Sequence, residues 1–396
     1  MWRLGFFFHK MAFGLLSVFL PLYVVAIGGS LVDIGIMTSA ALFSVIPFAF
    51  FWGYICDKTR RYKRYILLSF VSSTVLLYAF TLTTGIGLFI ILYVVMSILH
   101  AAHEAPKNVL IAEHYSREEW EKSYALYEGF TKVGWLIGLL LGSLVSTFGF
   151  EANFTLLLCS GLNLIAFLIS LFLVADPLLV FERRLVGIER TIDFTCRGID
   201  VASKILDGLS FDGKLRRENL YAFCCGLVLF SFASSTFFTS LPIFFSKDLA
   251  LPTTMVFMVY VLNSGGSVVG HFLAGRRSLQ LEEKTKIRRI VLFRSALVFM
   301  FIVFASLSSY TAVFAAAILI LMGLAYAMYY TLTISLSMEL IPAGKAGLFN
   351  VLVSLGAACG SFLGPFFAQT LGFMYQFLTA GIIFCIAYVA FKIFSR

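Results

Sequence analysis

Residues 31–83 read LVDIGIMTSAALFSVIPFAFFWGYICDKTRRYKRYILLSFVSSTVLLYAFTLT. The runs 31–56 and 65–83 are almost free of charge, and between them Lys58, Arg60, Arg61, Lys63 and Arg64 crowd one short turn. As a helix, an apolar run of about 20 residues crosses a hydrocarbon layer of about 30 Å. Only a helix or a closed barrel satisfies its backbone there, and a turn full of cations stays at the interface. The stretch therefore predicts two membrane helices joined by a charged turn.

The pattern recurs along the whole chain. Apolar residues make up 60% of 396 positions, 13% are charged, and 44 are Phe. A water-facing surface needs far more charge, so most of this exterior must face hydrocarbon. Twelve spans are predicted, at 4–27, 31–56, 65–83, 86–112, 122–148, 152–174, 219–246, 253–275, 290–308, 311–338, 345–371 and 373–394. The fold class is thus an all-α polytopic membrane protein. With both termini on the cytoplasmic side, 25 of the 30 Lys and Arg fall in inner loops and one, Lys247, falls outside. Lys10, Lys107, Lys132 and Arg294 lie within spans. Such asymmetry is the positive-inside rule at work, and it predicts a plasma-membrane protein with cytoplasmic termini. The net charge of +9 is then topological. No nucleic-acid partner is expected, because the basic residues sit in short turns. Arg3 ahead of an apolar run, with Ala26-Ile27-Gly28 after it, also fits a signal peptide, but the segment has an internal copy and is read as helix 1. Six of the seven cysteines lie in spans and Cys196 in an inner loop, so no disulfide framework is implied.

The chain repeats itself once. Leu20-Pro21-Leu22-Tyr23 and Leu241-Pro242-Ile243-Phe244 end helices 1 and 7. Gly134, Gly138 and Gly142 map onto Gly356, Gly360 and Gly364 at a constant offset of 222. Thr147-Phe148-Gly149-Phe150 is echoed by Thr370-Leu371-Gly372-Phe373, and Gly53 with its basic cluster by Gly270 with Arg276 and Arg277. Six spans plus six in the same orientation predict parallel repeats about an axis normal to the membrane. The expected units are an N-terminal bundle (1–174), a cytoplasmic linker (175–218) and a C-terminal bundle (219–396). Each Gly-x-x-x-Gly run invites close approach of another helix, either as plain packing or as a face on which the halves slide. In the linker, Leu185, Ile188, Ile192, Ile199, Leu206 and Leu209 follow helical spacing among eight basic and eight acidic residues. They predict an amphipathic helix on the inner membrane face, acting as a tether.

Gly53-Tyr54-Ile55-Cys56-Asp57-Lys58-Thr59-Arg60-Arg61-Tyr62-Lys63-Arg64 resembles the signature loop of the major facilitator superfamily, with a Gly, an Asp four residues on and a basic cluster. Together with the twelve spans, two repeats and long central loop, the resemblance covers essentially the full chain. It implies two six-helix bundles around a central cavity, and a secondary active transporter that opens alternately to each side. It implies a gating role for Gly53, Asp57 and Arg61, whose charges would hold the inner ends of the halves together. Arg60 stands where the family loop has its second Gly, and helix 4 lacks the intramembrane Arg of many proton-coupled members.

Ionisable groups inside spans cost several kcal/mol unless they face a cavity or a partner, so each is a functional candidate. His100, His103, Glu104 and Lys107 recur at i, i+3, i+4 and i+7, one face of helix 4. Pro106 breaks a backbone hydrogen bond and kinks the helix there. Glu128, Lys132 and Trp135 share a face of helix 5. The two helices are expected to set two acids against two bases, with Glu104 as protonation site and His100 and His103 as titrating neighbours. The other reading is a static ion-pair network between the helices. In the second half the polar groups are neutral, so Asn263, Tyr326, Tyr329, Tyr330 and Asn350, with Trp135, are candidate substrate contacts. Charge handling would then belong to the first half and substrate contact to the second.

Other chemistries fit less well. His100-x-x-His103-Glu104 offers three metal ligands on one face, so a metal-ion carrier is an alternative, disfavoured because Lys107 and Lys132 would repel a cation; no resident metal and no cofactor are expected. His103-Glu104-x-x-Lys107 lacks the second His of a zinc peptidase, and no phosphate-binding Gly-rich loop is present, so an enzyme or ATP-driven pump is not expected. A channel or transport-dead sensor is a further alternative. The expected function is transport of a small organic solute, coupled to protons and carried out by a monomer in the bilayer. The Phe-rich second half leans toward a hydrophobic or amphipathic solute, as in drug-efflux members. A sugar-like solute and an organic anion are the alternatives.

Overall fold

The computed structural model describes residues 2–83, 85–114, 120–176, 220–276, 283–305, 311–340 and 347–395. Twelve long helices carry the chain, and no strand occurs among the described residues. The first six are α1 (Arg3–Ala26), α2 (Leu31–Thr59), α3 (Tyr62–Thr81), α4, α5 (Trp120–Thr147) and α6 (Ala152–Leu173). α4 runs Ile86–His100, tightens to a 3-10 turn at Ala101–His103, and continues as Glu104–His114. The second six are α7, α8 (Thr253–Arg276), α9 (Glu283–Ala305), α10 (Thr311–Leu340), α11 (Gly347–Thr370) and α12 (Phe373–Phe394). α7 runs Leu220–Phe238, breaks, and resumes as Leu241–Ile243 with a π-turn at Phe244–Asp248. The linker helix expected within 175–218 lies outside the described residues.

Eleven of the twelve are long and apolar enough to cross a membrane. The exception, α9, opens on Glu283, Lys284, Lys286, Arg288 and Arg289 and keeps Arg294 within its apolar stretch. Large apolar side chains lie outward, Phe172 at 82% exposure and Val313 at 69%, a surface that hydrocarbon suits and water does not.

The turns show why certain residues stand where they do. Ser30 and Asp33 form a reciprocal capping box that starts α2. Gly149 and Gly372, partners in the internal repeat, both take left-handed backbone (φ 67 and 97) in the turns α5–α6 and α11–α12. Arg60, where the resembled loop carries Gly, ends α2 in the same conformation at φ 53.

The repeat is visible in the packing. α1 lies on α5 and α6, and α7 lies on α11 and α12. α3 contacts α4 and α6, as α9 contacts α10 and α12, and α2–α4 is matched by α8–α10. The halves meet through α2–α11 and α5–α8, two pairs that the same exchange converts into each other.

Glycine sets these distances. A Cβ on Gly134 or Gly138 would strike the carbonyl of Phe7 or Met11 on α1, and one on Gly356, Gly360 or Gly364 would strike Val228, Phe232 or Thr236 on α7. Both runs therefore join helices within a half, and of the six only Gly142 faces the other half, at Phe257. The expectation of a sliding face is corrected for the other five. Between the halves, the Val32 amide donates to Gln369 Oε1 at 2.9 Å, Thr147 and Thr254 hydroxyls stand 3.4 Å apart, and Gly35 lies against the backbone of Ser361 and Phe362. These contacts sit at the end of the bundle away from the termini. A cavity of about 450 Å³ opens beside them, lined by residues including Tyr23, Ser146, Lys247 and Phe257.

Two outcomes are expected. Gly266 meets the Ile320 carbonyl whereas its neighbour Gly265 faces open space, so Gly266→Ala should cost about 1–3 kcal/mol by overpacking and Gly265→Ala should be neutral or stabilising by up to about 1 kcal/mol. Thermal unfolding of the two variants checks the difference. In a cysteine-free background, Thr147→Cys with Thr254→Cys should crosslink on oxidation and stop transport until reduced, and a pair that stays unlinked would contradict the contact.

Candidate functional site

The site grows from the irregularity in α4. Pro106 has no N–H for the carbonyl of Ala102, four residues back, and its ring crowds that turn. The backbone answers with the 3-10 turn at Ala101–His103. The single continuous face expected for His100, His103, Glu104 and Lys107 is therefore interrupted, yet the four side chains still meet. The imidazole rings of His100 and His103 lie 4.6 Å apart, edge to face. His103 Nε2 is 3.2 Å from Glu104 Oε1, and Lys107 pairs with Glu104 Oε2.

Residue His9, on α1, completes the cluster. It is fully buried, and the ligand atoms of His9, His100 and His103 all lie within 4.8 Å of one another. Hydrogen bonding fixes the rings. Asn163 Nδ2 donates to the Cys159 carbonyl at 2.8 Å, so its Oδ1 faces His9 and accepts from Nδ1–H at 2.6 Å. A neutral His9 then accepts at Nε2 from His100 Nδ1–H, 3.1 Å away. The Ser69 hydroxyl has a single proton and lies 3.1 Å from the His100 carbonyl, which can only accept. Ser69 Oγ therefore accepts from His103 Nδ1–H at 3.0 Å.

This leaves His103 Nε2 and Glu104 Oε1 facing each other with no proton assigned. The two atoms lie 3.2 Å apart with no hydrogen bond between them, and a proton arriving on either one gives the pair its attraction. The imidazole side is dry, with the His103 side chain at 0% exposure, and the carboxyl side is open, with that of Glu104 at 43%. The pair stands between a closed chain of imidazoles and an accessible acid.

The expected opposition of α4 and α5 is realised differently. Glu104 pairs within its own helix, and the link to α5 runs through Lys10 of α1, which is within electrostatic reach of Glu104, Lys107 and Glu128. Lys107 stands 5.6 Å over the Tyr127 ring, and Lys132 is 5.6 Å over Trp135. Among the described residues Lys10 thus joins the two acids and two bases expected from α4 and α5. His271 of α8, within reach of Lys132 and Glu128, adds a polar group from the opposite half and bonds Thr331 at 3.2 Å. Three imidazoles this close are chemically able to hold a zinc-class ion after small ring rotations, but Lys10 and Lys107 stand beside them and oppose it.

The second-half candidates separate. Tyr326 and Tyr330 are half-buried on α10 and stack at 6.1 Å, and Asn350 is exposed. Asn263 spends its Nδ2 on the Leu319 carbonyl at 2.7 Å, tying α8 to α10. Tyr329 is buried in the bundle core, its ring packed against Phe230 and Phe391. Of the loop residues, Gly53 lies in α2, Arg61 is exposed, and the Asp57 side chain lies outside the described residues. Among the described residues the loop makes no cross-half ion pair, and the Lys63 amide instead donates to Asp176 after α6 at 2.7 Å.

Two buried ionisable groups escaped the sequence reading. His9 looked like part of helix 1, although a His-Lys pair inside an apolar span was itself a signal. Arg294, counted only as an in-span cation, is buried in the second half at 1% exposure.

A family model described as Major Facilitator Superfamily matches residues 4–354, and the chain belongs to that superfamily. Similar solved structures include the nucleoside transporter NupG (12% identity, TM-score 0.73, covering all of this chain and 99% of that one). A proton-dependent oligopeptide transporter structure matches at 13% identity and TM-score 0.77, covering all of this chain and 98% of its own. A bacterial homolog of the human lysosomal transporter Spinster, inward-facing and occupied, matches at 12% identity and TM-score 0.67, covering all of this chain and 95% of its own. No curated protein matches the chain. The fold is that of a membrane transporter.

Asn163→Ala removes the acceptor for a buried N–H of His9 and should cost about 1–3 kcal/mol. Thermal unfolding of the purified variant checks it, and an unchanged midpoint would mean that His9 is not held as described.

Proposed function

We propose that the chain is a secondary carrier that moves a small organic solute by alternating access, driven by a proton held between His103 and Glu104. The observation that carries this is the pair of facing acceptors, 3.2 Å apart, at the mouth of a closed imidazole relay. A static ion-pair network has no use for that arrangement. Such a network also gains little over packed apolar residues, since desolvation offsets the attraction.

The charges suggest how the cycle works. A proton on Glu104 cancels the carboxylate that Lys107 pairs with and that Lys10 lies near. The cavity face then gains one positive charge, and an anionic solute entering with the proton restores the balance. Among the solute classes weighed from sequence, this favours the organic anion over the amphipathic and sugar-like ones. The named cross-half contacts are few and lack ion pairs, as suits surfaces that part in each cycle. Cytoplasmic termini in the plasma membrane follow from the basic inner turns and belong to the same proposal.

Proteoliposomes test it. A thermal-shift screen of organic anions, nucleosides, sugars and amphipathic cations selects the solute. Wild-type protein should accumulate that solute when the outside is made acidic. Glu104→Gln should lose gradient-driven accumulation and keep solute-for-solute exchange. Gradient-driven uptake surviving in Glu104→Gln would remove Glu104 from the coupling step, and absence of exchange in wild type would end the carrier reading.

A further inference from the structure

We infer that Arg294 receives the anionic group of the transported solute, inside an aromatic box in the second half. The assignment deepens the transporter reading and does not depend on the proton step.

Arg294 lies eleven residues into α9 and five past Arg289, the last of its basic opening, so it sits about 7 Å inside the inner end of the apolar stretch. Its guanidinium carbon stands 5.0 Å from the ring centroid of Phe230, 5.7 Å from Phe238, 5.2 Å from Tyr326 and 5.4 Å from Phe384. Ring faces attract a cation, but they do not take up its N–H groups. Nε and Nη1 are buried and have no hydrogen-bond partner, and no carboxylate pairs with the group among the described residues. An unpaired buried guanidinium is among the costliest groups a protein can hold. A planar fork of donors is also what binds a carboxylate, sulfonate or phosphate ester best. A second donor stands nearby. The Tyr329 hydroxyl is buried without a partner, and Tyr329 is within electrostatic reach of Arg294.

The box has a front and a back. Phe230 and Phe384, at 1% and 0% exposure, close it toward the bundle core. Tyr326 and Phe238 are half-buried and form the other side. Tyr326 lies within electrostatic reach of Glu128 on the opposite half, so it borders the space where Lys10, Glu128, Lys132 and His271 gather. Phe238 is the last residue of the main run of α7. The chain breaks there, and Gln376 holds the break by donating to the Thr236 carbonyl at 2.5 Å and accepting from the Ser240 hydroxyl at 2.7 Å. Rotation of Tyr326 and Phe238 opens a path from the central space to the guanidinium. The ligand class that fits is a small organic anion with an apolar or aromatic body, its head on Arg294 and its body against the rings.

The test uses the purified full chain at fixed pH and ionic strength, with no gradient. Benzoate, benzenesulfonate and phenyl phosphate are compared in thermal unfolding with benzamide and benzyltrimethylammonium, each up to its solubility limit. The anions should raise Tm in wild type, and the neutral and cationic analogues should not. Arg294→Met should lose the anion response while its ligand-free Tm stays level or rises, because an uncompensated charge has been removed. Arg294→Lys keeps the charge without the fork and should weaken anion binding on the order of tenfold. Tyr329→Phe should weaken it less. Equal shifts from benzoate and benzamide in wild type, no shift from any anion, or an intact anion response in Arg294→Met would each overturn the assignment. If Arg294→Met does not fold, the wild-type series and Arg294→Lys decide. Loss of anion binding would leave the proton step at Glu104 standing, and failure of that step would leave this binding result untouched.

Discussion

Hydrocarbon offers no hydrogen bonds, and that constraint shapes nearly every feature of this molecule. Backbone polarity is absorbed by helices, and where a helix fails, a side chain or a tight turn repairs it. The 3-10 turn ahead of Pro106 does so in α4. In α7 the repair is made by Gln376, which reaches across from α12 to the carbonyls exposed at the break. The polar side chains around His9 obey the same rule. His9, Asn163, Ser69 and His103 use their hydrogen-bonding capacity on one another or on backbone, so the group left over, His103 Nε2 against Glu104, stands out as a place for a mobile proton.

Between helices, water expulsion supplies little drive within a bilayer, so close packing must hold the bundle. The glycine runs do this by letting α5 rest on carbonyls of α1, and α11 on carbonyls of α7. Stability is thus concentrated inside each half. Across the halves the named contacts are a single amide bond to Gln369, two threonine hydroxyls and the packing of Gly35 and Gly142. The halves nonetheless meet along two helix pairs, α2–α11 and α5–α8, packed as extensively as many pairs inside a half.

Much of this was legible in sequence, for physical reasons that can be named. Span length, basic turns and the glycine offset are set by one-dimensional constraints, so the twelve helices and the repeat could be read directly. The charges of α4 and α5 were also visible, because an ionisable group in an apolar run is anomalous wherever it points. Partners were not. Lys10 connects Glu104 to Glu128 only because α1 lies beside α5 and brings His9 against His100 and His103 of α4, a fact of three-dimensional packing. Tyr329 shares its helix with Tyr326 and Tyr330, and only its rotation into the core distinguishes it. The glycines announced close approach without naming which helix approaches.

The repeat also explains why the second half needs its own charge. Gly5 lies against Ser170, and Gly226 lies against Phe391, so an offset of 221 relates both α1 to α7 and α6 to α12. The same offset carries His9 to Phe230 and Asn163 to Phe384. The hydrogen-bonded pair His9–Asn163 is therefore replaced by the ring contact Phe230–Phe384, 5.3 Å between centroids. Corresponding places in the two bundles hold a polar relay ending in an acid and an aromatic box around a cation. A symmetric ancestor with both places alike could bind only one kind of charge. In the transport cycle proposed above, divergence at these positions gives the proton to one half and the anion to the other. Neither is then stable alone in a low-dielectric cavity, so each favours the arrival of the other.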